Sequence, residues 1–196
     1  MSLLYLIRHP HTRPEPTVPP SRWGLSSAGE EQVRALVLAP FWASVAALYT
    51  SPQLKTRVVG EAIQAMYDLP VRVVAGLDEA SRDVWLAPEE FEAAQRAFLA
   101  DPDRAPVAGW EAADAARRRF AAAIDRLSAA HAPHESFAVV THATVLTLYL
   151  AHLRGEPARF EDWRQIGFAE VIALDRATLR PLSEFVAAPY DGLPRS

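Results

Sequence analysis

Apolar positions along the chain fall into two rhythms. Leu3–Ile7 is a short unbroken apolar run, the pattern of a strand buried on both faces in a parallel sheet. Phe137–Val140 repeats it, and Val45–Tyr49, Val71–Leu77, Ala169–Leu174 and Leu182–Val186 complete the predicted strands. Helical spacing fills the intervals. Ser27-Ala-Gly-Glu30 has the spacing of a capping box, and Val33, Leu36 and Val37 follow it in a predicted helix that stops before Pro40. Ser51-Pro52 pairs a favoured N-cap with a favoured first helical residue, and Leu54, Val58, Ala62 and Met66 mark one face of the next helix. Pro88–Leu99 and Glu111–Ala130 are Ala-rich and amphipathic, separated by the breaker stretch DPDRAPVAG, so two helices lie there with no strand between them. Thr144–Leu153 carries a last helix to Gly155, a stop signal.

Strands alternating with helices predict an α/β fold, a three-layer sandwich with a largely parallel central sheet and helices on both faces. The helix pair at about 86–131 is expected to form a small helical cap within a single domain spanning 1–196. The Pro-rich stretches 13–20 and 101–106 are too short for interdomain linkers and read as surface loops.

Composition narrows the chemistry. Of 196 residues 50% are hydrophobic and 22% charged, with both signs mixed, so the chain is expected to fold. A net charge of −4 offers no footprint for nucleic acid or an anionic membrane, so an anionic ligand must be met by a local cluster of cations. The absence of cysteine excludes disulfides, thiolate metal sites and a cysteine nucleophile. No basic leader precedes the first apolar run and no stretch approaches the ~20 apolar residues of a membrane span, which makes a cytoplasmic location the expectation. A homodimer is one assembly compatible with the sequence.

In open α/β sheets ligands sit beyond the carboxyl ends of the strands. Arg8 and His9 end the first strand, Ser51 the second, and Thr141-His142 the strand FAVV, so all three ends are expected to face one crevice. His142 precedes a helix, whose free N–H groups near Ala143 and Thr144 face outward to an anion. Lys55 lies in the first turn of the helix after Ser51, and Glu79 follows the third strand. Two histidines, an arginine, a lysine and one acid suit phosphoryl chemistry.

Several ordered stretches then resemble the histidine phosphatase superfamily, also called the phosphoglycerate mutase-like proteins. LIRHPHT is similar to a strand ending in R-H-G-x-T, through Arg8, His9 and Thr12; GLSSAGEEQ resembles P-L-S-x-x-G-x-x-Q through Leu25, Ser26, Gly29 and Gln32. TSPQLKTRVVGEAI resembles S-S-P-L-x-R-A-x-Q-T-A-E-A-I, LDEASRDVW resembles L-x-E-x-x-x-G-x-W, and VVTHATVL resembles V-V-S-H-G-G-V-I. The resemblance implies His9 as nucleophile, Arg8, His142 and Lys55 around the phosphoryl group with Thr12 and Ala143 beside it, and Glu79 as proton donor. A neutral imidazole attacks phosphorus near pH 7 and forms an N–P bond that water can break. Fixed cations stabilise charge spread over the transferring oxygens. Glu79 protonates the departing alkoxide and then deprotonates water, a role change that favours a raised carboxyl pKa. No cofactor and no metal are implied.

The sequence departs from the family pattern at named positions. Pro10 replaces a glycine and removes an N–H, Lys55 replaces an arginine and removes a two-pronged donor, and Ala143 and Asp83 each replace a glycine. His11 stands where a glutamate is frequent, and Glu15 near where an asparagine assists phosphate binding. His9 and His11 also form an H-x-H pair, found as metal ligands on a first barrel strand; such a barrel needs about 250 residues, and only His142 stands at another strand end. Thr12, Ser51 and Thr141 also read as turn or cap residues. His131, His134 and His152 read as surface or helix-end histidines, Arg117–Arg119 as a solvated face with Arg119 leaning to the crevice, and Trp85 and Trp110 as pocket wall or core. The expected activity is metal-independent hydrolysis of a small phosphomonoester through a phosphohistidine. Phosphoglycerate-mutase-type transfer is the nearest alternative, set back by the acidic stretch DEASRDVWLAPEE. A non-catalytic phosphate-binding regulator is the alternative from another class.

Overall fold

A computed structural model describes residues 1–82 and 85–195, so Asp83 lies outside the described residues. The strands β1 (Leu3–Arg8), β2 (Val45–Thr50), β3 (Val71–Val73), β4 (Ser136–Thr141) and β5 (Val171–Asp175) form one sheet in the order β3-β2-β4-β1-β5. The pairs β2–β3, β2–β4 and β1–β4 are parallel, and β5 runs antiparallel along β1. Helices α1 (Ser27–Val37), α2 (Leu54–Tyr67), α3 (Pro88–Ala100), α4 (Ala113–Ala130), α5 (Ala143–Arg154) and α6 (Phe160–Gln165) cover both faces.

Alternation along the strands sorts the two cores. Leu3, Tyr5 and Ile7 point into the layer closed by Val33 and Leu36 of α1 and Val59 and Ile63 of α2. Leu4 and Leu6 point the other way, onto Phe98 of α3, Phe120 and Ile124 of α4, Leu146 and Tyr149 of α5 and Phe160 of α6. Each fully buried large side chain of this kind contributes roughly 1.5–3 kcal/mol. With β1 and β4 flanked on both edges and covered on both faces, the strand ends that carry Arg8, His9 and His142 stand at the centre of the sheet. Among the described residues no helix is long and apolar enough to cross a membrane.

Several sequence expectations shift. The cap of α1 is Ser26, whose Oγ accepts from Gly29 N–H at 3.1 Å, so Ser27 and Glu30 form no capping box. α2 starts at Leu54, not at Pro52, because the Ser51 hydroxyl is engaged elsewhere. Its buried face is Lys55, Thr56, Val59, Gly60 and Ile63, one residue round from the face predicted; Leu54 and Met66 are exposed. β3 ends at Val73, where its partner β2 ends at Thr50, and a 3-10 turn at Ala75–Leu77 replaces the rest of the predicted strand. Leu182–Val186 forms no strand; Val186 makes a single bridge to Val171, and Pro181, just before the segment, one to Leu174. Gly155 stops α5 as expected, with φ of 69°, a left-handed conformation that glycine adopts without steric cost.

Candidate active site

Hydrogen bonding between strands brings the predicted residues to one edge. Arg8 is in register with Thr141, His9 N–H donates to the Thr141 carbonyl at 2.9 Å, and Ser51 N–H to the Val140 carbonyl at 3.3 Å. The ends of β1, β2 and β4 therefore lie side by side, as the strand-end rule anticipates.

His9 is buried, and its Nδ1 lies 2.8 Å from the Pro10 carbonyl. A carbonyl only accepts, so Nδ1 carries the proton and Nε2 the lone pair. No described residue hydrogen-bonds that Nε2. Burial, then the charges of Lys55 and Arg8, hold the His9 pKa well below the usual imidazole range, so the ring is neutral at pH 7. Pro10 lacks an N–H, but its backbone carbonyl, which any residue there would carry, still fixes the His9 tautomer.

His142 is fully buried, 5.1 Å from His9 between ring centroids, and its Nε2 lies 2.8 Å from Ser51 Oγ. Thr56 Oγ1 has one proton and lies 2.8 Å from the carbonyls of both Ser51 and Gln53, so it donates there. It then accepts from Ser51 Oγ at 2.9 Å, which leaves Ser51 Oγ to accept from His142 Nε2–H. His142 Nδ1 is buried with no partner, and so is Arg8 Nε. Arg8 stacks over Phe168 at 3.7 Å and donates to the Ile166 carbonyl. Burial lowers its pKa to about 10, which keeps it cationic at neutral pH.

Lys55 is buried in the first turn of α2 and donates to the Pro20 carbonyl at 2.8 Å. Its pKa falls to about 8, first through burial and then through the charge of Arg82. Glu79 sits against the first turn of α5, accepting from Thr144 N–H at 3.3 Å and Val145 N–H at 3.2 Å. The anion that meets this helix terminus is therefore a side chain of the protein itself. Arg119 grips the segment that carries Glu79, donating to the carbonyls of Gly76, Asp78 and Glu79 while pairing with Glu111 at 2.7 Å. Asp78, next to Glu79, is pushed up to about 6 by burial. A cavity of about 490 Å3 opens here, lined by Lys55, Asp78, Glu79, Arg82, Arg22 and Arg119 among others.

The profile of the histidine phosphatase superfamily (branch 1) matches residues 4–185. The chain belongs to the histidine phosphatase superfamily. No curated protein matches its sequence. Solved structures share the fold at low identity: a mycobacterial glucosyl-3-phosphoglycerate phosphatase at 20% identity and TM-score 0.71, covering 95% of this chain and 97% of that one. A phosphoserine phosphatase from Entamoeba histolytica, in complex with 3-phosphoglyceric acid, matches at 16% identity and TM-score 0.75, covering 97% and 99%. A putative alpha-ribazole-5'-P phosphatase from Escherichia coli matches at 21% identity and TM-score 0.73, covering 98% and 100%.

Other expected positions do not line the cavity at Lys55 and Glu79, nor do His9, Arg8 and His142. His11 turns its Nδ1 to Ser26 Oγ at 2.8 Å and meets Phe168 edge-on at 4.8 Å, stitching the loop after β1 to the start of α1. Gly29 lets that stitch close, since a Cβ there would stand 2.0 Å from the His11 carbonyl oxygen. Thr12 is buried and bridges to Leu25, Glu15 pairs with Arg13 at 3.1 Å on the surface, and Ala143 is buried at the start of α5. His131 is a helix-end residue, the C-cap of α4, with its ring turned inward: Tyr49 and Glu135 bond its two ring nitrogens at 2.9 and 3.1 Å, and it stacks on Phe137. Trp110 is buried against Phe91 and Phe98. Among the described residues no group of three or more His, Cys, Asp or Glu is arranged to hold a metal ion. The sequence reading missed Arg82, Phe168 and the Ser51–His142 bond; the signal for Arg82 was that it is the one cation in DEASRDVWLAPEE.

Proposed function

We propose that the chain is a metal-independent phosphomonoesterase that passes the phosphoryl group through an N–P bond at His9. One observation carries the reading: a neutral His9 with its Nδ1–H committed to Pro10 lies beside two buried nitrogens without partners, Arg8 Nε and His142 Nδ1. Unpaired buried polar atoms are costly; a bound phosphoryl group supplies an acceptor for Arg8 Nε–H, and its negative charge favours a proton on His142 Nδ1, the lone-pair nitrogen of the resting ring.

His9 Nε2 attacks phosphorus as the ester P–O bond breaks, and the departing alkoxide takes a proton from Glu79. Water then attacks the phosphohistidine and gives its proton back to Glu79, releasing inorganic phosphate and free His9. Arg8 and Lys55 hold charge on the transferring oxygens through both steps, and His142, neutral in the resting protein, takes up a proton only as the phosphoryl anion binds, so the scheme calls for no metal. Arg119 acts on Glu79 indirectly, by clamping the carbonyls on either side of it.

The cavity beyond Lys55 and Glu79 is walled by charged and polar side chains, which supports a small hydrophilic phosphomonoester as substrate. That structural relatives include phosphatases of phosphoserine and of a phosphoglycerate derivative supports the same size and polarity. Residues 86–131 would form the cap over this cavity, with Glu111 and Arg119 as its contribution to the wall.

The test is to incubate the protein with a generic aryl phosphate, follow product release, and quench for acid-labile phosphate on the chain. His9→Ala is expected to abolish both signals. A His9→Ala variant that turns over as fast as the parent would overturn the assignment. Transfer to monophosphoglycerate from a bisphosphorylated donor, in place of release to water, would identify a mutase, and phosphate binding without hydrolysis a binding protein.

A further inference from the structure

We propose that Arg82 is a phosphate-binding residue, supplying the guanidinium fork that Lys55 lacks. The inference rests on reading the crevice as a phosphate site. Lys55 stands where the sequence patterns of the family have arginine, so that position offers a point charge and no planar pair of donors. Arg82 stands on the other wall of the same cavity.

Its geometry suits the missing part. The guanidinium lies 4.3 Å from the Phe91 ring centroid and 6.0 Å from that of Trp110. Aromatic faces orient the plane of an arginine and leave its N–H edge free for in-plane acceptors. Among the described residues that edge has no taker, because Arg82 makes no hydrogen bond or ion pair with any of them. Two other cations of the cavity wall are committed, Arg119 to Glu111 and three carbonyls and Lys55 to the Pro20 carbonyl, while Arg22 is exposed. Glu79, the acid whose charge reaches Arg82, keeps its oxygens on backbone amides of Ala80, Thr144 and Val145.

Arg82 is also close enough to the reacting groups for its charge to matter there. It depresses the protonated forms of His9, His142 and Lys55, three groups already placed around the phosphoryl position. A cluster of Arg8, Lys55 and Arg82 opposed by Glu79 and Asp78 carries an excess of one positive charge, which draws a phosphate anion.

Calorimetric titration of the full chain with inorganic phosphate tests this without depending on turnover. Arg82→Gln is expected to weaken phosphate binding by about 10- to 100-fold, the loss of a charge-assisted two-pronged contact. Arg82→Lys keeps the charge, is expected to fold as the parent does, and should bind with intermediate affinity. Lys55→Arg in the Arg82→Gln background is expected to recover part of the loss. Thermal unfolding of the same variants separates ligand binding from packing on Phe91. If Arg82→Gln and Arg82→Lys both bind phosphate within twofold of the parent, Arg82 only packs against the aromatic pair and the proposal fails. A parent that binds phosphate and hydrolyses nothing would sink the phosphatase reading alone and leave this one standing.

Discussion

Ser51→Ala asks whether His142 is aimed by its neighbour or merely lies next to it. Ser51 is fully buried, and its Oγ accepts from His142 Nε2–H at 2.8 Å. Removing the hydroxyl leaves that N–H buried with no acceptor, a loss of about 1–3 kcal/mol in stability. Thr56 Oγ1 loses its donor as well, but keeps the carbonyls of Ser51 and Gln53. The larger effect falls on chemistry. Without the bond, the His142 ring is free to turn, and its Nδ1 no longer meets the phosphoryl oxygen in a fixed direction. Misplacement of a catalytic group on the ångström scale costs up to about 100-fold, so kcat/KM on an aryl phosphate should fall by about 10- to 100-fold. The assay is steady-state hydrolysis beside a thermal melt. Thr56→Val, which deprives Ser51 Oγ of its own acceptor but leaves it in place, should fall between parent and Ser51→Ala. A Ser51→Ala enzyme with a lower melting temperature and kcat/KM within twofold of the parent would refute the positioning argument.

Three other outcomes follow from named geometry. Lys55 is cationic below about pH 8 and neutral above it, while an aryl phosphate is already dianionic above pH ~7; phosphate inhibition should therefore weaken as pH rises from 7 to 9, and Lys55→Arg should flatten that dependence. Glu79→Gln should slow alkyl phosphates far more than p-nitrophenyl phosphate, whose leaving group departs without a proton; equal slowing of both would remove Glu79 as the acid. Gly29→Ala puts a Cβ 2.0 Å from a backbone oxygen that no rotamer change can move, so it should cost about 1–3 kcal/mol or more and lower kcat/KM with it, since the displaced backbone follows directly on His9 and Pro10.

The parts of this fold that are legible in sequence are those written in continuous apolar runs. β1, β2 and β4 are buried on both faces, and that burial leaves no room for polar residues until the strand ends, where Arg8, Ser51 and Thr141-His142 appear. The misreadings have a shared cause, side chains recruited by the crevice. Ser51 reads as a helix cap because serine usually is one, yet His142 and Thr56 claim its hydroxyl. The inner face of α2 reads as Leu54, Val58, Ala62 and Met66 because apolar spacing alone cannot place a lysine on a buried face, whereas Lys55, expected at the crevice, shares that face with Val59 and Ile63 and sets it one residue on. Arg82, in an acidic and loop-like stretch, carries no periodicity to show that it lies against Phe91. Phe168 and Ile166 reach Arg8 only through the antiparallel return of β5, a tertiary fact that no local pattern encodes.

The two amides that Glu79 holds at the start of α5 make the proposed proton donor observable without any substrate. Thr144 N–H and Val145 N–H point at the two oxygens of one carboxylate, so adding a proton to it must weaken at least one of those bonds. In a 15N-labelled sample Glu79→Gln, which exchanges one acceptor oxygen for an amide that cannot accept, should likewise shift these two backbone resonances together and leave the next turn of α5 unmoved. Two ordinary helix amides would then report where the acid is held, readable in the resting protein.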